Sequence, residues 1–428
     1  MSYKSIIYDL KTKEHSILSS KDVNFSIENS LSVLRGQSFF TSAVTIHNDQ
    51  GTSLVLLDAH YERFQHSYRV LFEKTQYPIT YDEFKMYIEQ TIKLNSDQED
   101  KVMQCLIFFT AGQARSIADT GGHYSSGFGG DLESMTVVMK AYSCKPDWCF
   151  DDGIHTLSKV YQRPFSVAKP TQYLGGVEGQ HVLDALNTAS ILYHHCHDKG
   201  LDNALSHIMD FYETLTRYEQ QSFRLLMKDI FADPLYIQRL SRSVLQHQYG
   251  FSENITKAID WIMNIRVTKR EFEDLYYSQF PDLKHEVIFK TDDEYILEGS
   301  TFSLMGINQD NECVFIPLRG NSSREDDLNT GYILQSTSIV LLQEVLKQLK
   351  TPYQISSIRY DDLFSLKALY SVSTTRFKYN KNSVQLVPIR SIDHQDLPYE
   401  HTKTYELLMK GVYQFIQGWP KAAYDLQR

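Results

Sequence analysis

The feature that most constrains this chain is a break in its patterning. Residues 200–283 carry long amphipathic stretches, almost no strand signal, and proline only at 234 and 281. Ile208, Phe211, Tyr212 and Leu215, then Phe223, Leu225, Leu226 and Ile230, recur there at helical spacing. A stripe of that kind has to bury itself against something. On both sides of it, short β-branched and aromatic runs alternate with helical patterns. A chain of this form is expected to be α/β (α+β), with a large all-helical insertion.

The flanks read as follows. Residues 3–9 and 38–46 predict strands, and 54–57 is a further short apolar run. A helix is predicted over 59–73 with Asp58 as N-cap, a second over 81–94, and a buried-type strand over 102–110. Strand signals return at 285–290, 295–297, 302–307, 314–317, 368–374 and 384–389, with a helix over 333–349. The expected organisation is a small N-terminal α/β domain over 1–160, a larger domain over 161–400 that 200–283 interrupts, and a helical C-terminal tail over 401–428.

Composition narrows the partners. The 428 residues carry a formal net charge of −10, which argues against a nucleic-acid backbone or an anionic membrane as the main partner. Cysteines at 105, 144, 149, 196 and 313 are odd in number and scattered, so no disulfide framework is expected. Residues 1–10 lack a long apolar segment, and no run reaches the roughly 18 apolar residues of a bilayer span. A cytoplasmic location is the expectation. His194, His195, Cys196 and His197 are adjacent, and on a helix adjacent residues cannot face one ion. Cys144 and Cys149 have no matching second pair, so no metal site is expected. The glycine-rich stretch 121–130 lacks the Gly-Lys-Ser ending of a phosphate-binding P-loop and suits an active-site flap or plain disorder.

Six segments stand in a telling order. They are Arg35-Gly36-Gln37-Ser38-Phe39-Phe40-Thr41-Ser42-Ala43, Leu56-Leu57-Asp58-Ala59-His60-Tyr61-Glu62-Arg63-Phe64, Ala168-Lys169-Pro170-Thr171-Gln172-Tyr173-Leu174, the stretch 285–301 that ends Glu298-Gly299-Ser300-Thr301, the stretch 331–338 that ends Ser336-Thr337-Ser338, and Val372-Ser373-Thr374-Thr375. In this order they resemble the class IV aminotransferase and aminodeoxychorismate lyase family of pyridoxal 5'-phosphate (PLP) enzymes. The resemblance covers roughly 30–180 and 284–392 and leaves out 200–283 and the tail. It implies a two-domain fold-type IV PLP enzyme whose larger domain binds the cofactor.

The chemistry of that family explains why these residue types are needed. A lysine amine forms a Schiff base with the cofactor and moves protons. Cations, hydroxyls and backbone N–H groups hold the phosphate, often at a helix N-terminus. A carboxylate beside the pyridine nitrogen keeps it protonated. The resemblance implies Lys169 as the Schiff-base lysine, with Tyr173 lining the ring. It implies Arg63, Thr337, Ser338, Ser373 and Thr374 for the phosphate and Glu298 for the ring nitrogen. Thr41 and Arg115 are the substrate-contact candidates, Arg115 by analogy with an arginine that grips the substrate carboxylate in some members. Two departures stand out. Ser303 replaces the usual asparagine, and Ser336-Thr337-Ser338-Ile339 replaces the usual glycine–isoleucine–threonine–arginine.

Three functions follow from the resemblance. The leading one is a homodimeric transaminase for a small amino acid or amine, with no nucleic-acid or membrane partner. The second is a lyase that eliminates pyruvate, because Phe40-Thr41-Ser42-Ala43 is closer to the lyase pattern than to the transaminase pattern, which has a glutamate after the aromatic residue. The third is a PLP scaffold that has drifted into an interaction role.

Overall fold

The computed structural model describes residues 3–10, 12–23, 38–48, 51–72, 77–98, 102–110, 134–142, 144–145, 147–161, 285–317, 333, 336–380, 382–393 and 395–418. By internal contacts the chain divides into two units, Met1–Ile154 with Ser158–Gly175 and Ile288–Arg428, and His155–Leu157 with Gly176–Val287. Of the second unit only 155–157 and 285–287 are described. There the His155 backbone N–H donates to His285 Nδ1 at 2.9 Å. The expected helical insertion over 200–283 lies outside the described residues.

The first sheet holds β1 (Lys4–Asp9), β2 (His15–Ser19), β3 (Ser38–Asn48), β4 (Gly51–Leu54), β5 (Met103–Thr110) and β6 (Ser134–Ala141). Its order is β2-β1-β6-β5-β3-β4, antiparallel throughout. Two helices, α1 (Leu57–Phe72) and α2 (Tyr81–Lys93), share a core with it. The reason lies in period-two alternation: Phe39, Ala43, Cys105, Ile107 and Phe109 send their side chains to the helix side, where Phe64 and Phe84 meet them. Phe39 and Phe109 stack with ring centres 4.9 Å apart.

Helix α1 begins at Leu57, two residues before the sequence-based start. Leu56 adopts a left-handed backbone with φ +55°, which breaks the preceding strand and launches the helix. Asp58 is therefore inside the first turn, where its carboxylate accepts a hydrogen bond from the Tyr81 hydroxyl. Helix α2 starts with a reciprocal capping box between Thr80 and Glu83.

A short helix, α3 (Asp147–Asp151), precedes β7 (Ile154–Val160). The second sheet also contains β8 (Glu286–Lys290), β9 (Ile296–Gly299), β10 (Ser303–Ile307) and β11 (Cys313–Phe315). After α4 (Thr337–Gln348) come β12 (Tyr353–Ile355), β13 (Ala368–Val372), β14 (Phe377–Tyr379), β15 (Val384–Ile392), β16 (Gln395–Asp396) and α5 (Lys403–Gln417). The order is β12-β11-β10-β13-β15-β7-β8-β9, with β14 and β16 also paired to β15. Helices α4 and α5 cover part of it through Leu341, Leu342, Val345, Leu408, Met409 and Val412. Gly411 lets them close together, since a Cβ there would lie 2.7 Å from Val345 Cγ1. The mixed α/β class appears as the sequence predicts. Strands β2, β6, β7, β12, β14 and β16 were not among the predicted elements.

Candidate active site

Within the first unit, a cavity of about 390 Å³ gathers side chains from six separate stretches of chain. Glu298 lines it from the end of β9 and is 5% exposed. Directly after it, the Gly299 N–H donates to the Phe302 carbonyl at 2.7 Å, closing a tight turn into β10. Glycine suits 299, because a Cβ there would fall 2.2 Å from the Phe302 ring and force it to shift. Ser300, Thr301, Phe302 and Ser303 of this turn also line the cavity.

Helix α4 directs its N-terminus at the same cavity. Ser336 is its N-cap, with Oγ accepting from the Ile339 N–H at 3.4 Å, and Ser336, Thr337 and Ser338 line the wall. The turn after β13 adds Ser373, Thr374 and Thr375. Thr374 Oγ1 donates to the Ser42 carbonyl at 2.9 Å, which ties this turn to β3. The Tyr142 hydroxyl sits against the same turn, within 2.9 Å of the Thr374 carbonyl and 2.6 Å of the Phe377 carbonyl. Burial pushes the Tyr142 pKa far above the ordinary phenol range.

Arg63 reaches the cavity from α1, and its Nη1 donates to Thr41 Oγ1 at 3.2 Å. Arg63 and Thr337 also line an adjoining polar cavity of about 290 Å³ with Glu62, His66 and Arg69. Burial, and secondarily the Arg69 charge, lowers the His66 pKa, so the imidazole there favours the neutral form.

Of the residues predicted from sequence, the structure therefore brings Arg63, Glu298, Thr337, Ser338, Ser373 and Thr374 to one cavity. Thr41 does not line it. Thr41 is fully buried behind the wall, its hydroxyl 2.7 Å from His60 Nδ1, because alternation along β3 gives the cavity face to Phe40 and Ser42. Lys169, Tyr173 and Arg115 lie outside the described residues.

Several residues were missed by sequence reasoning. Ser42, Gln104 and Leu106 line the cavity from β3 and β5. Gln104 had a legible signal, as a lone amide inside the apolar strand Met103–Thr110. Arg376 had none. It is 0% exposed, its Nη2 donates to Thr301 Oγ1 at 3.2 Å and its Nη1 to Ser371 Oγ at 3.4 Å, and its guanidinium stacks 4.3 Å from the Phe302 ring centre. It thus joins the 299–303 turn to the 373–376 turn from beneath.

Among the described residues no group of three or more His, Cys, Asp or Glu side chains could hold a metal ion. Among them, too, no helix is long and apolar enough to cross a membrane.

No protein-family model and no curated protein sequence matches the chain. Solved structures do. A branched-chain aminotransferase from the archaeon Thermoproteus uzoniensis, with norvaline, matches at 12% identity over 99% of this chain and 98% of that one, with a TM-score of 0.57. A hypothetical aminotransferase from Mycobacterium tuberculosis in its PLP-bound form matches at 13% identity over 96% and 98%, with a TM-score of 0.53. The Escherichia coli branched-chain amino acid aminotransferase matches at 10% identity over 98% and 93%, with a TM-score of 0.54. At such identities the likeness speaks for the fold: this chain has the fold of the fold-type IV aminotransferase structures.

Proposed function

We propose that this protein is a PLP-dependent aminotransferase acting on a small amino acid or amine, with the cofactor carried by Lys169. The observation that carries the reading is the convergence of Arg63, Glu298, Thr337, Ser338 and Ser373 on one cavity from remote parts of the chain. The donor set suits the cofactor. A guanidinium, several hydroxyls and the N-terminus of a 12-residue helix match a phosphate dianion. A buried carboxylate on the same cavity matches a protonated ring nitrogen. PLP and PMP are named with the Mycobacterium tuberculosis aminotransferase structures of the same fold.

When bound, the cofactor supplies an electron sink for the pair left at the substrate's α-carbon. The chain's own contributions follow from placement. Arg63 and the α4 N-terminus would hold the phosphate end. Glu298 would keep a proton on the ring nitrogen. The Lys169 amine would carry the cofactor and move a proton at the substrate α-carbon. The Thr374 hydroxyl donates its hydrogen bond to the Ser42 carbonyl, so it would position the 373–375 turn, while Ser373 and Thr375 would be left to face the anion.

The test is spectroscopic. Purified protein with PLP should absorb near 410 nm, and borohydride reduction with peptide mapping should place the pyridoxyl group on Lys169. A colourless protein, or a label on another lysine, overturns the reading. Glu298→Gln should retain PLP yet lose most turnover, because an amide cannot hold the ring nitrogen protonated. The lyase remains the second reading, favoured by the absence of a carboxylate among Phe40, Thr41, Ser42 and Ala43. Pyruvate release from aminodeoxychorismate, with no transfer to an oxo acid, would select it. A homodimer belongs to the leading reading, and sedimentation would test it.

A further inference from the structure

We propose that Ser42 and Gln104 form the subsite for the substrate's side chain, and that they select an amino acid or amine bearing a neutral hydrogen-bonding group, a carboxamide or a hydroxyl. The proposal rests on the cavity being a PLP and substrate site. Phe40 and Ser42 on β3, with Gln104 and Leu106 on β5, make one wall of the cavity. None of the side chains assigned to the cofactor comes from this pair of strands, so this wall is left to the substrate.

The register explains the pairing. Ser42 stands opposite Leu106, and Val44 opposite Gln104, which makes Ser42 and Gln104 diagonal neighbours on one face. Gln104 Nε2 donates to Ser42 Oγ at 2.8 Å. Gln104 is 4% exposed, and its Oε1 is buried with no hydrogen-bond partner. Exchanging the amide's oxygen and nitrogen does not remove the deficit, since one end still faces Ser42 and the other stays unpaired. A buried amide end without a partner is destabilising, and a ligand group that pairs with it recovers the loss. Ser42 Oγ, having accepted from Gln104, keeps its own proton to donate.

The wall also says what it would refuse. Neither the described strand Ser38–Asn48 nor Met103–Thr110 contains a Lys, Arg, Asp or Glu. A charged side chain would find no counter-charge there. An aliphatic side chain would leave the amide unpaired. Phe40 and Leu106 offer apolar cover for the methylenes that lead to the polar group.

The test uses isosteric pairs bound to the PLP-loaded protein. Succinamate and 4-methylpentanoate have the shapes of asparagine and leucine without the amine; 3-hydroxybutanoate and 3-methylbutanoate do the same for threonine and valine. By calorimetry, the polar member of at least one pair should bind wild type about 10-fold more tightly than its partner. In Gln104→Met, which keeps the length and removes the amide, that ratio should fall to about one, with PLP affinity within about twofold of wild type. The kcat/KM ratio of the corresponding amino acids should move with it. If Gln104→Met does not fold, Ser42→Ala should lower the ratio about 5-fold. Equal or tighter binding of the aliphatic member in every pair, or a ratio unchanged by the substitutions, overturns the proposal while leaving the cofactor reading in place. Wild-type protein that binds no PLP overturns both.

Discussion

Arg63 enters the cavity already engaged, its Nη1 donating to Thr41 Oγ1, and Thr41 is in turn bonded to His60 Nδ1. The relay restrains a long, flexible side chain, so less freedom is lost when an anion binds. Arg63→Ala should therefore raise the PLP dissociation constant about 10- to 150-fold, from a charge-assisted contact of roughly 1.5–3 kcal/mol. Thr41→Val removes only the relay, and should raise it about 5-fold, near 1 kcal/mol. Titration of PLP absorbance measures both, and an unchanged constant in Thr41→Val would show that Arg63 needs no such support. Gly299→Ala acts differently. Its Cβ would meet the Phe302 ring, itself stacked against Arg376, so the ring or the turn holding Glu298 must shift. A loss of roughly 1–3 kcal/mol is expected in denaturant titration.

At the scale of elements, α4 serves both stability and binding through the same residue. Ser336 caps the helix and lines the cavity. Ser336→Ala should cost the cofactor-free protein about 1 kcal/mol through the lost cap. Ser336→Asp separates the two functions, because aspartate caps as well as serine and favours the positive end of the helix dipole. The cofactor-free protein should keep its stability, while PLP affinity drops at least about 10-fold by repulsion between carboxylate and phosphate. Equal PLP affinity in Ser336→Asp and wild type would place the phosphate elsewhere.

The whole molecule carries a titration signature. Burial pushes the Cys105 and Cys313 thiols from 9.0 up to about 12, and the Tyr8 hydroxyl from 10.0 up to about 12. Cys105 and Tyr8 belong to the core under the first sheet, and Cys313 to the core under α4 and α5. In the unfolded chain these groups lose protons near their ordinary values, whereas in the fold they keep them. Between about pH 9 and pH 12 the unfolded state therefore binds fewer protons, and stability falls as pH rises. Denaturant midpoints measured across that window should decline, and Cys105→Ala should flatten the decline. A midpoint independent of pH there would show these groups to be solvated.

The sequence by itself determined the mixed class and many of its elements. The alternation in β3 and β5 and the apolar face of α4 are set by neighbours a few residues apart, and local spacing is legible in a linear string. The resemblance to a known family also marked, in order, most of the segments that reach the cavity. Tertiary structure alone decided which face each side chain takes. Thr41 and Ser42 are adjacent, and a one-residue change of register would exchange their places between core and cavity. Tertiary structure also set Gln104 beside Ser42 across 62 residues, and Arg376 beneath Thr301 across 75. Those partnerships depend on strand pairing and loop closure between distant segments, which no local pattern encodes.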